Sequence, residues 1–366
     1  MRLFDCLASR DNNLNLLRIT AALVVLFSHS FSLLLQAEPI EASTGSTLGN
    51  IAVDVFFIIS GLLVTGSLVK SNSVVDYACS RILRIYPALL FMLLLTVFIL
   101  FPIYTTVPLA KYFLAPETRL YLLKCATLFS GVVYRLPGVF EQNPYPYFAN
   151  GSLWTMPVEI KMYAILLVVW YGSVLLNRRR KNSLPYLILP ITVVAAILVF
   201  VNYFYLNHKV QFIRLFFMFF SGVSLFVLRE RLVLTRQVFY PVLLLVLGAA
   251  FVNKAVFFVL YNLTIAYLVV CIAYLPSGWI RRYNNMGDYS YGVYIYAFPV
   301  QQAVAASFPG IPVLGMVGAS ATVTLMLAIF SWHKIEKPSL ALRVETVARL
   351  RKYWPSKLKK PTRHAQ

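Results

Sequence analysis

The sequence predicts an all-α fold: a polytopic transmembrane helical bundle of about ten spans with both termini cytoplasmic. Three observations predict it. Hydrophobic residues make up 60% of the 366, charged residues only 13%, and mean hydropathy is +0.73; a soluble chain carries about a quarter charged residues. Apolar runs long enough to cross a bilayer recur along most of the chain. Lys and Arg gather in short segments between those runs, as the positive-inside rule expects of cytoplasmic loops.

Residues 1–13 read as a cytoplasmic N-terminus with no cleavable signal, because the first span is too long and lacks a small-residue cleavage site. Spans follow at 14–35, 50–69, 86–104, 153–176, 184–206, 212–228, 239–252, 256–275, 289–307 and 312–332. Segment 112–134 is ambiguous, since Pro116, Glu117, Arg119 and Lys124 interrupt a one-sided apolar pattern. Charge parity resolves it. If 112–134 does not span, the basic loops at 70–84, 177–183, 229–237 and 278–288 and the tail all face one side. Residues 105–151 then form a long external loop with a re-entrant or interfacial helix. The transmembrane domain is read as 14–338, and 339–366 as a basic cytoplasmic tail at the lipid surface.

The net charge of +20 is accounted for by topology and attraction to anionic membrane lipids, so no nucleic-acid partner is expected. Cys6, Cys79, Cys125 and Cys271 have no metal or disulfide spacing and read as unpaired thiols. No metal site is expected. No internal repeat is visible, which disfavours transporters built from inverted repeats.

Ionisable residues inside the spans are the functional signal, because each costs about 3 kcal/mol or more at the bilayer centre. Arg18 and His29 lie eleven positions apart, close to three helical turns, so they share a face about 16 Å apart along the axis. Taken singly, Arg18 can be a snorkelling anchor and His29 a packing residue. As a pair they mark a site, with a neutral imidazole able to activate a hydroxyl or relay protons. Asp54 in the second span needs a partner, which His29 or Arg18 can supply. Ser60-Gly61 suits close helix packing or a kink. Arg81 and Arg84, at i and i+3, can clamp phosphate oxygens or simply anchor the third span. Glu159 is an unpaired acid in lipid unless it faces a cavity.

In this order these clusters resemble the acyltransferase-3 family of integral membrane O-acyltransferases, which decorate bacterial cell-surface polysaccharides. The resemblance covers roughly residues 12–340. The family's basic residue and following histidine are matched by Arg18 and His29. Its acid before Phe-Phe-x-x-Ser-Gly is matched by Asp54 and Phe56 to Gly61. Arg-x-x-Arg before Tyr-Pro appears as Arg81, Arg84, Tyr86 and Pro87. Ser152-Leu153-Trp154 with Glu159, "SYGVYIYAFP" at 290–299 and "KIEKP" at 334–338 complete the set. One departure is Ala297, where the family often has histidine, which leaves His29 as the catalytic imidazole.

The resemblance implies transfer of an acetyl group from acetyl-CoA to a hydroxyl of a polysaccharide or undecaprenyl-linked glycan, in the bacterial inner membrane, with no tightly bound cofactor. It implies that Arg81, Arg84 and Arg18 bind CoA phosphates and that His29 acts as base or acyl carrier. Asp54 or Glu159 would orient the imidazole or grip the sugar. Ser60, Gly61, Trp154 and Tyr294 would line the channel or stabilise the oxyanion. The competing reading is a proton-coupled glycan or small-anion transporter or flippase using His29, Asp54 and Glu159 as a relay.

Overall fold

The computed structural model describes residues 1–9, 11–177, 183–206 and 210–353. Most of the basic segment 177–183 and the end of the basic tail lie outside the described residues. Among the described residues the chain is helical, with isolated β-bridges and no sheet. A helix stands at each of the ten expected positions. They are α1 (Leu14–Leu33), α2 (Leu48–Ser71), α3 (Val74–Leu95), α4 (Thr155–Leu176), α5 (Leu184–Phe204), α6 (Gln211–Val227), α7 (Arg236–Val252), α8 (Lys254–Tyr274), α9 (Ser290–Ser307) and α10 (Val313–Ser331). Seven helical segments are long and apolar enough to cross a membrane, so the protein is a multi-pass membrane protein; α6, α7 and α9 fall outside that set.

Two boundaries differ from the expectation. Helix α3 starts at Val74, well before residue 86, because the Ser73 hydroxyl accepts from the Asp76 amide at 3.3 Å and caps it. Arg81 and Arg84 therefore belong to the helix itself. At its other end α3 continues through a π-helical turn, Thr96–Leu100, to Tyr104. Helix α10 likewise passes through a π-helical turn, Trp332–Glu336, into Lys337–Ala341 and then Arg343–Tyr353. Segment 112–134 holds a helix of 12 residues, Pro116–Thr127, which stops at Leu128 in the left-handed conformation. Twelve residues rise only about 18 Å, too short for a bilayer core.

The tightest contact in the bundle joins α2 to α6. A Cβ on Gly61 would stand 2.0 Å from the Phe219 carbonyl oxygen, and one on Gly222 would stand 2.0 Å from that of Ile58. Only glycine lets the two backbones approach this closely. Gly61 lies within the α2 helical ladder, so its amide is engaged there and the oxyanion role expected for it gives way to packing.

The loop 128–150 is tied to α9 by amide side chains. Pro299 cannot donate to the carbonyl one turn back, and Asn150 Nδ2 takes that place by donating to Ile295 O at 3.0 Å. Gln302 Nε2 donates to the carbonyls of Tyr145 (2.9 Å) and Phe148 (2.8 Å), and Asn143 Nδ2 donates to Gln302 O at 2.9 Å.

Candidate active site

Helices α1, α2, α3, α4 and α9 surround a cavity of about 460 Å³. Arg18, Arg81, Arg84 and Arg343 line it, against the carboxylates Glu159 and Asp288. Cations thus outnumber acids on its wall, which suits an anionic ligand.

The centre of that wall is a four-residue ion cluster. Asp288, on the connection before α9, accepts through Oδ2 from both Arg18 Nη1 and Arg84 Nη2, the latter at 2.6 Å. Its other oxygen accepts from the Ser290 hydroxyl at 2.5 Å. Arg84 Nη1 also faces Glu336 Oε2 at 3.4 Å. The π-helical turn puts Glu336 there, and the Ser331 hydroxyl donates to its Oε1 at 3.1 Å. Tyr291 and Trp332 rings flank the Arg84 guanidinium at 5.7 and 5.9 Å. Burial alone would push the Asp288 carboxyl up, but the Arg18 and Arg84 guanidiniums beside it hold it below the usual carboxylate range. Arg84 is therefore a structural cation whose charge two carboxylates offset.

Arg81 differs. Among the described residues it makes no ion pair; Nε donates to Ser80 Oγ at 3.3 Å, and the guanidinium lies 5.7 Å over the Tyr163 ring. Its remaining donors are available to an anion. Beside it Tyr163 donates to Glu159, and the Ser60 hydroxyl lies 3.0 Å from Tyr163 and 3.4 Å from Glu159 Oε1. Glu159 thus faces the cavity, as its place in an apolar span requires.

Tyr294 is the lining residue farthest along α9, and its hydroxyl bonds Thr155 Oγ1 at 2.6 Å and donates to Ser152 O at 3.1 Å. One turn farther along α9, Phe298 packs edge-on against His29, with ring centres 5.3 Å apart. His29 does not line the cavity. Its Nδ1 is buried and has no hydrogen-bond partner among the described residues, so the imidazole can take a proton from, or give one to, an arriving group.

Of the residues expected from the sequence, Arg18, Ser60, Arg81, Arg84, Glu159 and Tyr294 line one cavity. His29, Trp154 and Gly61 are outside its lining. Asp54 faces away. Its partner is Arg214 on α6, with Nε 3.6 Å from Oδ1, not His29 or Arg18. Tyr261 of α8 donates to Asp54 Oδ2 at 2.9 Å, and Arg214 Nη2 donates to Asn50 Oδ1 at 3.0 Å. Helix rotation is the reason: Asp54 lies on the side of α2 that meets α6 and α8, where Arg214 supplies a guanidinium.

Sequence reasoning passed over Asp288, Tyr163 and Arg214. Arg214 carried the same signal as Arg18, a guanidinium inside an apolar span. Asp288 stood as the acid at the mouth of the span 289–307.

Comparison with known proteins identifies the family. A family model described as an acyltransferase domain, of the acyltransferase-3 type, matches residues 11–332. An O-acetyl transferase of Shigella phage Sf6 is 30% identical over 363 residues, covering 90% of this chain and 96% of that protein. Nodulation protein 10 of Rhizobium leguminosarum bv. viciae is 29% identical over 379 residues, covering 92% of this chain and 95% of that protein. No solved structure matches.

Proposed function

The chain belongs to the acyltransferase-3 family and is an O-acetyltransferase enzyme, and on that footing we propose that it moves acetyl from acetyl-CoA to a hydroxyl of a cell-surface polysaccharide or undecaprenyl-linked sugar. The setting is the bacterial inner membrane, crossed about ten times with both termini cytoplasmic. The observation that carries this reading is a cavity walled by four arginines whose lining includes Tyr294, one helical turn before the ring that packs on His29.

Arg81 binds donor phosphate, with Arg18 and Arg84 supplying the positive field behind it. The thioester arm runs past Ser60, Tyr163 and Glu159, and opening of the Tyr294–Thr155 hydrogen bond admits the acetyl group to His29. As base, His29 takes the proton of the acceptor hydroxyl while that oxygen bonds the thioester carbonyl carbon. The tetrahedral oxyanion collapses, the C–S bond breaks, and the CoA thiolate leaves and recovers the proton. As carrier, His29 holds the acetyl group between two such steps.

On the acceptor side, the end of the bundle beyond His29 carries a cavity of about 340 Å³ between the outer loop and the ends of α1 and α9. Tyr104, Thr106, Glu141 and Asn143 line it, rings and hydrogen-bonding groups together, which suits a sugar. The transporter reading has no comparable support, since both the matching family model and the phage relative are acyl-transferring.

The test is purified protein in liposomes with labelled acetyl-CoA and a glycan acceptor. Wild type yields acetylated glycan and His29→Ala yields none while still binding acetyl-CoA. Product formation by His29→Ala at the wild-type rate would remove His29 from the chemistry.

A further inference from the structure

Two residues, Leu63 and Arg343, line two cavities at once. One is the arginine-walled cavity described above. The other, of about 860 Å³, opens beside it at the Arg18 end of the bundle. Its wall includes Phe4 of the N-terminal helix Leu3–Ala8, Lys70 at the end of α2, Asp76 at the start of α3, and Phe226 and Arg229 at the end of α6. The Arg343–Asp76 ion pair, at 2.9 Å, therefore stands at the partition between the two.

The outer compartment has its own anion-binding chemistry. Lys70, Arg229 and Arg343 face the single carboxylate of Asp76. The Arg229 guanidinium is held 4.3 Å over the Phe226 ring and 5.8 Å from the Phe4 ring, which fixes its plane. Its carboxylate neighbour is Glu230 at 3.7 Å, 72% exposed, a contact that contributes little in water. A phosphate dianion offers more charge and more acceptor oxygens than Glu230 does, and a planar guanidinium with a mobile ammonium beside it is a suitable receiver.

We propose that this outer compartment binds the nucleotide end of the acyl donor, with Arg229 and Lys70 on its 3′-phosphomonoester and Arg343 on its diphosphate. The inference rests on the reading that the donor is acetyl-CoA, and it extends that reading to a second compartment. Coenzyme A has two unlike parts, a bulky polyanionic nucleotide and a thin, mostly uncharged arm ending in the thioester. The larger, more open compartment fits the adenosine and its 3′-phosphate, the diphosphate lies at the partition between Arg343 and Arg81 of the inner cavity, and the arm continues into that smaller cavity. Arg343 and Asp76 are partly exposed, at 36% and 19% of their side chains, so exchanging the Asp76 carboxylate for a diphosphate oxygen on Arg343 carries a small penalty.

The experiment compares acetyl-CoA with 3′-dephospho-acetyl-CoA as donors for the full-length protein in liposomes, with a glycan acceptor present. Wild type has a donor KM about tenfold to a hundredfold higher for the dephospho compound, the usual effect of losing a charge-assisted contact. Arg229→Ala and Lys70→Ala raise KM for acetyl-CoA but not further for dephospho-acetyl-CoA, so discrimination between the donors narrows. Because Arg229 also donates to Phe226 O at 2.9 Å, Arg229→Lys serves as the charge-keeping control, and Lys70→Ala stands on its own if Arg229→Ala does not fold. A wild type that uses both donors equally well, or variants that raise both KM values in parallel, overturns the compartment assignment while leaving acetyl-CoA as donor. A wild type that consumes neither donor overturns the donor reading itself.

Discussion

Replacing Asp288 by Asn removes one negative charge from the point where two guanidiniums meet. Asp288 is 8% exposed, and Arg84 and Arg18 have side chains 15% and 23% exposed. Removing one partner of a buried pair costs about 3–5 kcal/mol, most of it from the stranded opposite charge. Arg84 keeps Glu336 at 3.4 Å, and Arg18 can turn partly to water, which places the loss near the lower end, about 3 kcal/mol. Asn preserves size and can still accept from Ser290, so the loss is one of charge.

Thermal unfolding in detergent reads that loss, and a double-mutant cycle identifies its cause. Arg84→Ala in the Asp288→Asn background removes one of the stranded cations, so the double variant is more stable than the two single losses predict, by about 1 kcal/mol or more. Additive losses would refute the idea that the two arginines share Asp288. The pH dependence has a definite sign. Since the folded Asp288 carboxyl is held below the usual range, its contribution is complete above the unfolded value of about 3.9 and disappears as the pH falls through the lower folded value. Asp288→Asn removes that acid-sensitive component.

Two further outcomes are expected. Arg81→Ala raises donor KM about tenfold or more with little change in melting temperature, whereas Arg84→Ala lowers both donor affinity and stability; equal destabilisation by the two would contradict the separation of roles. Gly61→Ala forces a Cβ to 2.0 Å from the Phe219 carbonyl and costs about 1–3 kcal/mol or more, while Gly172→Ala, with nothing within 4 Å, is neutral or stabilising by up to about 1 kcal/mol; a Gly61→Ala protein that melts with wild type would refute close packing there.

Hydropathy and periodicity are properties of neighbouring residues, so the sequence by itself determined the all-helical membrane class and the places of ten helices. The same local geometry put Arg18 and His29 on one face of α1, and motif order identified the family. It also made Ser60-Gly61 legible as a packing pair, since small residues mark close helix approach wherever they fall in apolar spans. Tertiary structure alone decided how the charges pair. Arg84 meets Asp288 across 204 positions, Arg18 meets it across 270, and Asp54 turns to Arg214 and Tyr261 instead of the α1 side chains. Which face of a nearly uniformly apolar helix meets which neighbour is set by the rotation and order of helices in the bundle. A local pattern carries no record of that order, so the sequence named the charges and only their packing chose the partners.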